Sequence, residues 1–230
     1  MPGISKKERF KRFISYFSEV MPDAGTELEY GKPYELIVAV LLSAQCTDKR
    51  VNMITQDFFR RFPDPESLAK ADQNEVYELI KSCTYPNSKS RHLIGMAQML
   101  INDFNRQVPP DIYELQKLPG IGRKSANVIA AVIHALPVMP VDTHVFRVAA
   151  RIGLTIHAKT PLQAEKQLVA NIPEPVIPRA HHWLILHGRY TCTARNPRCH
   201  KCGLQSFCKY YNDNQLIINF FIQIRFIFLS

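Results

Sequence analysis

The chain lacks the segments that mark export or a membrane span. Residues 1–10 contain no apolar run of the kind that a secretory signal carries, so we expect a protein of a reducing, prokaryotic-type cytoplasm. Within the apolar tail, residues 212–230, the Ile- and Phe-rich segment 216–229 is interrupted by Asn219, Gln223 and Arg225 and is too short for a spanning helix of ~20 residues. We therefore expect no membrane partner and regard the tail as a dispensable extension.

Acidic residues are scarce relative to basic ones. Lysine and arginine total 29 against 20 aspartates and glutamates, which gives a formal net charge of +9 and an isoelectric point near 9.3. The segment after Tyr211 contains one Asp and one Arg, so the whole excess lies before it. A surplus of this size on a globular chain favours a polyanionic partner such as nucleic acid.

The sequence shows no internal repeat, no low-complexity linker and no strand pattern before the tail. Helix-capping residues and apolar positions at helical spacing recur along the chain instead. The predicted helices include 88–104, 123–135 and 178–186. With 230 residues, of which 46% are hydrophobic, the chain can form one domain or two small ones. The predicted fold class is all-α.

Six cysteines in a chain without an export signal argue against a disulfide framework. Four of them lie close together near the C-terminus, with six, two and five residues between them: Cys192, Cys199, Cys202 and Cys208. Four thiolates at such spacing suit either a tetrahedral zinc ion or a [4Fe–4S] cluster. A single C-x2-C pair flanked by wider spans favours the iron–sulfur cluster, although ligand chemistry alone leaves zinc open.

The remaining two cysteines, Cys46 and Cys83, stand apart from this group, and we expect them to be buried apolar residues. The segment that the four ligands enclose is basic, with Arg195 and Arg198 before the second cysteine and Lys201 between later ones. A metal site would hold this loop rigidly, so we expect these three side chains to contact phosphate.

Residues 118–122, Leu-Pro-Gly-Ile-Gly, form a breaker cluster between two apolar helical patterns. The proline ends the first pattern, and Gly120 and Gly122 free the backbone for a tight reversal. The prediction is a pair of helices, 111–117 and 123–135, joined by a glycine hairpin. Free amides at the N-terminus of the second helix, with the positive end of its dipole, form an anion site suited to a nucleic-acid phosphate.

Arg123 and Lys124 lie in the first turn of that second helix. A glycine-bearing helix turn is common, and a lysine at such a place is usually only solvated, so the hairpin alone favours an ordinary structural turn. The segment Val-Asp-Thr-His-Val-Phe-Arg at 141–147 and the cysteine group change that balance. Asp142 precedes a helical pattern that begins at Thr143, and local sequence predicts that it is the N-cap.

Several motifs occur in the order that is typical of one family. They are Leu-Leu-Ser-Ala-Gln at 41–45, Leu-Pro-Gly-Ile-Gly-Arg-Lys at 118–124, Val-Asp-Thr-His at 141–144, His-His-Trp-Leu-Ile-Leu-His-Gly-Arg-Tyr-Thr-Cys at 181–192, and the four-cysteine spacing. On these residues the chain resembles endonuclease III, the bifunctional DNA glycosylase and apurinic/apyrimidinic lyase of the helix-hairpin-helix superfamily. The resemblance runs from about residue 7 to residue 210.

The resemblance implies two domains and a cofactor. A six-helix domain with the hairpin would cover 26–138, and a cluster domain would combine 1–25 with 139–211 around a [4Fe–4S] cluster. The partner would be double-stranded DNA that contains damaged pyrimidines or abasic sites, with the damaged nucleotide flipped out of the helix. A monomer that works on the bacterial nucleoid is expected.

The resemblance also implies roles for individual residues. Lys124 would attack C1′ of the damaged nucleotide and form a Schiff base, and Asp142 would be the catalytic carboxylate as well as the cap. Gln45 matches a residue that fills the gap left by the flipped nucleotide. Tyr85 falls where a bulky residue wedges into the base stack, although Thr-Tyr-Pro-Asn-Ser-Lys departs here from the Gly-Leu-Tyr-Asn-Ser-Lys form of the best-known members.

Two alternatives differ from this interpretation in their chemistry. A monofunctional glycosylase on the same scaffold would activate water and would lack the lysine, so Lys124 argues against it. A noncatalytic nucleic-acid-binding module with a structural metal site would need neither Lys124 nor Asp142. Incision of an abasic duplex distinguishes the enzyme from such a module.

Overall fold

The computed structural model describes residues 4–215, and this part of the chain is helical with no strand, which confirms the predicted all-α class. The helices are α1 (Lys6–Val20), α2 (Pro33–Ser43), α3 (Asp48–Arg61), α4 (Pro65–Ala69), α5 (Gln73–Ile80), α6 (Pro86–Asp103), α7 (Ile112–Lys117), α8 (Arg123–Ile133), α9 (Thr143–Ile152), α10 (Pro161–Val169) and α11 (Ile177–Tyr190). Short 3-10 turns cover Glu174–Val176 and Cys199–Lys201, and residues 209–215 are helical.

The chain divides into two compact units. One is residues 25–140, and the other combines residues 1–24 with the chain from 141 onward. The resemblance implied limits of 26 and 138 for the first unit. Among the described residues no helix is long and apolar enough to cross a membrane. The helix over residues 209–215 includes the first four residues of the tail. The expectation that the tail is a dispensable extension concerns mainly residues 216–230, which lie outside the described residues.

The 25–140 unit is built around α2. Its residues from Leu36 to Leu42 are all buried, because α3, α6 and α8 pack on different sides of it. Pro33 occupies the first turn, where a missing amide proton costs nothing. The unit contains the seven helices α2 to α8. The shortest is the five-residue α4, which Asp64 caps through the Ser67 amide at 2.8 Å.

Helix α6 begins two residues earlier than the sequence suggested, at Pro86 instead of Ser88. The residue before it, Tyr85, is in the left-handed conformation with φ 54°, so the chain turns sharply there and the proline starts the helix. Helix α8 ends at Ile133 and not at Ala135, which has φ 51°. The following Leu136-Pro137 sequence disfavours helical backbone.

The second unit has an aromatic core. Phe17 of α1 stacks on Trp183 of α11 with ring centroids 5.8 Å apart, and Phe13 meets the same ring edge-on at 5.9 Å. The indole N–H of Trp183 donates to the carbonyl of Met21 at 2.8 Å. These contacts attach the N-terminal helix to the unit that contains the four grouped cysteines.

Helix α11 is longer than the predicted 178–186, because Gly188 does not end it. A Cβ at Gly188 would lie 3.0 Å from Cβ of His144 and from Cγ2 of Val148, so the glycine allows α9 and α11 to pack closely. Helix α11 carries three histidines. All three are buried: His181, His182 and His187.

Candidate functional site

The hairpin between α7 and α8 depends on one of its two glycines for its shape. Gly120 has φ 81°, and a Cβ there would lie 2.9 Å from Cβ of His92 and 3.0 Å from Cδ1 of Leu41. The buried side chains of Leu118 and Ile121 fasten the turn to the core, and the Ile121 amide donates to the Leu118 carbonyl at 3.0 Å. Gly120 is therefore required by both conformation and space.

The backbone conformation of Gly122 does not require glycine, so the expectation that both glycines free the backbone for the reversal is wrong for Gly122. Its φ is −85°, which any residue adopts, and a Cβ there would meet nothing within 4 Å. It is the N-cap of α8 and provides no side-chain hydrogen bond to the helix amides. The hairpin therefore presents an open helix N-terminus with Arg123 and Lys124 exposed in its first turn.

The structure brings together two loops that each carry a predicted DNA-contacting residue. Gln45 follows α2 and Tyr85 precedes α6, and both have left-handed backbones, with φ 55° and 54°. The Thr84 hydroxyl joins the loops, because it lies within hydrogen-bonding distance of two carbonyl oxygens, that of Ala44 at 3.2 Å and that of Gln45 at 3.0 Å. Both predicted residues are exposed, and the Tyr85 side chain keeps 65% of its accessible surface.

A buried lysine that the sequence analysis did not single out holds this junction. Lys89 of α6 is 5% exposed, and its ammonium donates to the carbonyls of Leu42 and Ala44 at 2.8 Å each and contacts the Thr84 hydroxyl at 3.4 Å. Burial lowers the pKa of Lys89. A lysine is rarely buried without partners, and the partners of Lys89 become visible only when the end of α2 packs against α6.

Asp142 lies in the second unit, where it is the N-cap of α9. Its Oδ1 accepts a hydrogen bond from the Val145 amide at 2.8 Å, so the local prediction of a cap is correct. The side chain is half-buried. The cap fixes the carboxylate against the helix N-terminus and leaves the second oxygen to accept another bond.

The four grouped cysteines line one pocket. Other walls come from Ile152, His187 and Tyr210. A tetrahedral zinc site has sulfurs at ~2.3 Å from the ion, so its ligands converge on one point. Among residues 4–215 no three His, Cys, Asp or Glu side chains converge closely enough to hold a metal ion. The four thiols that line this pocket match the all-thiolate ligand set of a [4Fe–4S] cluster.

Burial raises the pKa of the Cys199, Cys202 and Cys208 thiols, in the case of Cys202 to about 11. Thiolates are the ligating form, so iron binding must displace these protons. The imidazole of His187 lies 3.7 Å from the Cys202 sulfur, and burial lowers its pKa to about 4, so it is a neutral neighbour of the cluster.

Two arginines of α9 position the loop that carries the predicted basic contacts. Arg151 donates to the carbonyls of Thr193 and Ala194 at 2.7 and 2.8 Å, and its guanidinium stacks over the Tyr210 ring at 4.8 Å. Arg147 donates to the Cys192 carbonyl at 3.2 Å. The loop is therefore fastened by backbone contacts on one side.

On the other side of this loop the predicted phosphate contacts are all exposed: Arg195, Arg198 and Lys201. The loop is closed by backbone hydrogen bonds, from the Arg198 amide to the Thr191 carbonyl at 2.9 Å and from the Thr193 hydroxyl to the Asn196 carbonyl at 2.6 Å. A rigid loop with free cationic ends is suited to contact a polyanion.

Comparison with known proteins agrees with this geometry. Residues 38–174 match the HhH-GPD superfamily of base excision DNA repair proteins, and residues 192–208 match the iron–sulfur binding domain of endonuclease III. The chain is 44% identical to endonuclease III of Rickettsia felis, over 88% of this chain and 94% of that protein. It is 41% identical to endonuclease III of Bacillus subtilis, over 85% and 90%.

Solved structures give the same result. A trapped covalent endonuclease III–DNA intermediate superposes with a TM-score of 0.86 at 36% identity and covers 92% of this chain and all of that one. A noncovalent endonuclease III–DNA complex matches equally well. A thermostable thymine-DNA glycosylase, at 21% identity and a TM-score of 0.82, shares the fold.

The class defined by fold and site is thus the helix-hairpin-helix base excision repair enzymes. The chain belongs to the endonuclease III family of that class. It is a DNA glycosylase with a four-cysteine iron–sulfur domain, and the [4Fe–4S] prediction is confirmed over the zinc alternative.

Proposed function

We propose that this enzyme is bifunctional: it removes oxidised pyrimidines from double-stranded DNA and then cleaves the strand 3′ to the resulting abasic site. The observation that carries the proposal is Lys124, an exposed amine in the first turn of an uncapped helix, at a hairpin whose open end suits a phosphate. A monofunctional enzyme that activates water does not need an amine at this position.

In the proposed reaction the unprotonated amine of Lys124 attacks C1′ of the damaged nucleotide, and the bond to the base breaks. The sugar ring opens as nitrogen and carbon form an iminium. Loss of a proton from C2′ then expels the 3′ phosphate by β-elimination, and water releases the lysine. The trapped covalent DNA complex of a 36%-identical relative supports a covalent step.

Asp142 is assigned the stabilisation of positive charge on the sugar and the iminium. A carboxylate fixed by its hydrogen bond to the Val145 amide needs no reorganisation when that charge develops. Helix capping and charge stabilisation are compatible, because they use different lone pairs of the same group.

The DNA contacts are assigned to three sets of residues. The hairpin, Gly120, Gly122 and Arg123, binds phosphate through its amides and the helix dipole. Gln45 fills the space of the flipped nucleotide, and Tyr85 wedges into the stack beside it.

The third set of DNA contacts is the loop with Arg195, Arg198 and Lys201, which binds backbone phosphate without reading sequence. When bound, the cluster supplies a fixed anchor for this loop. The protein is proposed to act as a monomer on DNA of the bacterial nucleoid.

The test is incubation of the purified enzyme with duplexes that contain thymine glycol or an abasic site, with strand ends resolved on a gel. We expect base release and a β-elimination end on both substrates. Base release that leaves the strand intact until alkali treatment would contradict the lyase half of the proposal and favour a monofunctional enzyme.

A further inference from the structure

The two cysteines outside the cluster domain meet in the structure, although 37 positions separate them. The sulfurs of Cys46 and Cys83 are 3.8 Å apart, which is van der Waals contact. Cys83 is 5% exposed and Cys46 is partly exposed, so the pair has one solvent-facing member and one buried member. The sequence interpretation, two independent apolar residues, misses this contact.

The surrounding backbone keeps the two sulfurs together without a covalent bond between them. The Cys46 amide donates to the Ser43 carbonyl at 3.0 Å, and the Cys83 amide donates to the Ile80 carbonyl at 2.8 Å. The hydroxyl of Thr84 and the ammonium of Lys89 hold the two loops against each other. Closure to a disulfide, with sulfurs ~2.05 Å apart, therefore requires the two sulfurs to approach each other by ~2 Å.

The two thiols differ in reactivity. Burial, followed by the neighbouring Cys46, raises the pKa of Cys83 to about 11. A thiolate is the nucleophile in disulfide exchange, so the exposed sulfur of Cys46 is the one that meets an oxidant from solvent. Once Cys46 is bonded to another sulfur it carries no charge, so its contribution to the raised pKa of Cys83 is removed.

We propose that Cys46 and Cys83 form a redox modification site that closes to an intramolecular disulfide in the presence of a low-molecular-weight disulfide such as oxidised glutathione. The Cys46 thiolate attacks one sulfur of the oxidant and displaces a first glutathione thiolate. Cys83 then loses its proton, attacks the sulfur of Cys46 and displaces a second glutathione. In sum, two protein thiols are oxidised by two electrons and one glutathione disulfide is reduced to two thiols.

The consequence follows from the neighbours of the pair and rests on the proposed function. Cys46 follows Gln45 directly, and Cys83 lies two residues before Tyr85, so the bond would cross-link the two loops assigned to DNA insertion. The loops could then no longer adjust independently to a damaged duplex. The oxidised enzyme therefore processes damage more slowly than the reduced enzyme.

The first test is chemical and does not depend on DNA. The cluster-loaded enzyme is treated with oxidised glutathione under conditions that leave its visible cluster absorbance unchanged, free thiols are alkylated, and the peptides are mapped by mass spectrometry. We expect a linked Cys46–Cys83 peptide that dithiothreitol separates. Alkylation of both cysteines after the treatment would overturn the proposal.

Two variants check the order of attack. Cys83→Ala removes the resolving thiol, so a stable mixed disulfide of glutathione should accumulate on Cys46. Cys46→Ser removes the attacking thiol, so Cys83 should remain unmodified. A Cys46→Ser enzyme whose Cys83 reacts as readily as Cys46 does in the wild type would contradict the assigned order.

The second test measures turnover on a thymine glycol duplex before and after oxidation. We expect a reversible fall on the order of tenfold in the wild type, since a misplacement of ~1 Å can cost up to about 100-fold, and no change in Cys46→Ser. A linked peptide with unchanged turnover would overturn the assigned consequence. An enzyme inactive before oxidation would instead contradict the proposed function, and the peptide map would still report on the disulfide.

Discussion

The ammonium nitrogen of Lys89 lies 2.8 Å from the carbonyl oxygen of Ala44, so a buried lysine near the start of α6 holds the chain that leaves α2. A second 2.8 Å bond reaches the carbonyl of Leu42. The loop that follows carries Gln45, and the segment just before α6 carries Tyr85. One cation therefore fixes the spacing of both residues that we assign to insertion into the duplex.

Replacement of Lys89 by methionine should destabilise the protein, because the carbonyls of Leu42 and Ala44 lose a charged donor. An unsatisfied buried polar group costs about 1–3 kcal/mol, and we expect a loss of unfolding free energy in that range. The measurement is denaturant unfolding of both proteins. Lys81→Met is the matched control, since this exposed lysine forms only a surface pair with Glu78, and its removal should cost less than about 0.5 kcal/mol.

The two hairpin glycines should respond differently to the same change. Gly120→Ala forces a Cβ into left-handed backbone and against His92, so the folded state should lose more than about 2 kcal/mol. Gly122→Ala should cost only about a few tenths of a kcal/mol of stability, through a weaker N-cap. It should nevertheless weaken DNA binding, because the methyl occupies the space left for a phosphate. Thermal melting and a binding titration measure the two effects.

Equal losses of melting temperature in both alanine variants would contradict the distinction between Gly120 and Gly122. Unchanged DNA affinity in Gly122→Ala would show that phosphate does not approach the open side of the hairpin.

His182 should make stability fall in weak acid. Burial, followed by the charge of Arg189, lowers the pKa of His182 to about 4 from its ordinary 6.5. The unfolded chain then binds a proton between pH 6.5 and 4 that the folded chain refuses, so stability is lost as the pH falls through this window, by up to ~3 kcal/mol. The melting temperature of His182→Asn should depend less on pH than that of the wild type.

The pH series is restricted to conditions in which the cluster absorbance is constant. His157→Asn is the matched control, because this imidazole is exposed in the same unit and its replacement should leave the pH dependence of the wild type. Identical slopes for the wild type and His182→Asn would show that His182 is not the titrating group.

Arg198 should contact DNA through phosphate alone. Arg198→Ala should weaken binding to all duplex sequences about equally and reduce the magnitude of the salt slope by about one. The measurement is the affinity for undamaged and damaged duplexes over a range of salt concentrations. Arg60→Ala is the control, because Arg60 is exposed and paired with Asp57 on α3, and an unchanged slope is expected there. A salt slope that is the same in Arg198→Ala and wild type would place the loop away from DNA.

The sequence predicted those parts of the structure that depend on local signals. The cap at Asp142 is formed as expected, because a cap needs only a side chain and an amide two or three residues away. The all-α class followed from periodicity. The cysteine group was visible because its four members are close in sequence.

Features that depend on tertiary packing were not predictable in the same way. Gly188 resembles a helix breaker, and only the approach of α9 explains why α11 continues through it. Lys89 resembles a surface lysine until the end of α2 is packed against it. The contact between Cys46 and Cys83 joins loops that are distant in sequence, so no local pattern could indicate it.

The central claim, that Lys124 is the nucleophile, is tested most directly by borohydride reduction of the enzyme on a duplex with an abasic site. Wild-type enzyme should be trapped covalently on DNA. Lys124→Gln keeps length and polarity without a basic amine, so trapping and strand cleavage should vanish together while DNA binding largely survives.

Asp142→Asn serves as the comparison in this experiment, because asparagine still caps α9 while the charge is lost. Its folding should hold, and its turnover should fall by about 100-fold or more. The assignment of Lys124 as the nucleophile predicts a trapped adduct in the wild type and none in Lys124→Gln. A Lys124→Gln enzyme that forms the adduct at the wild-type rate would contradict it and place the nucleophile on another amine.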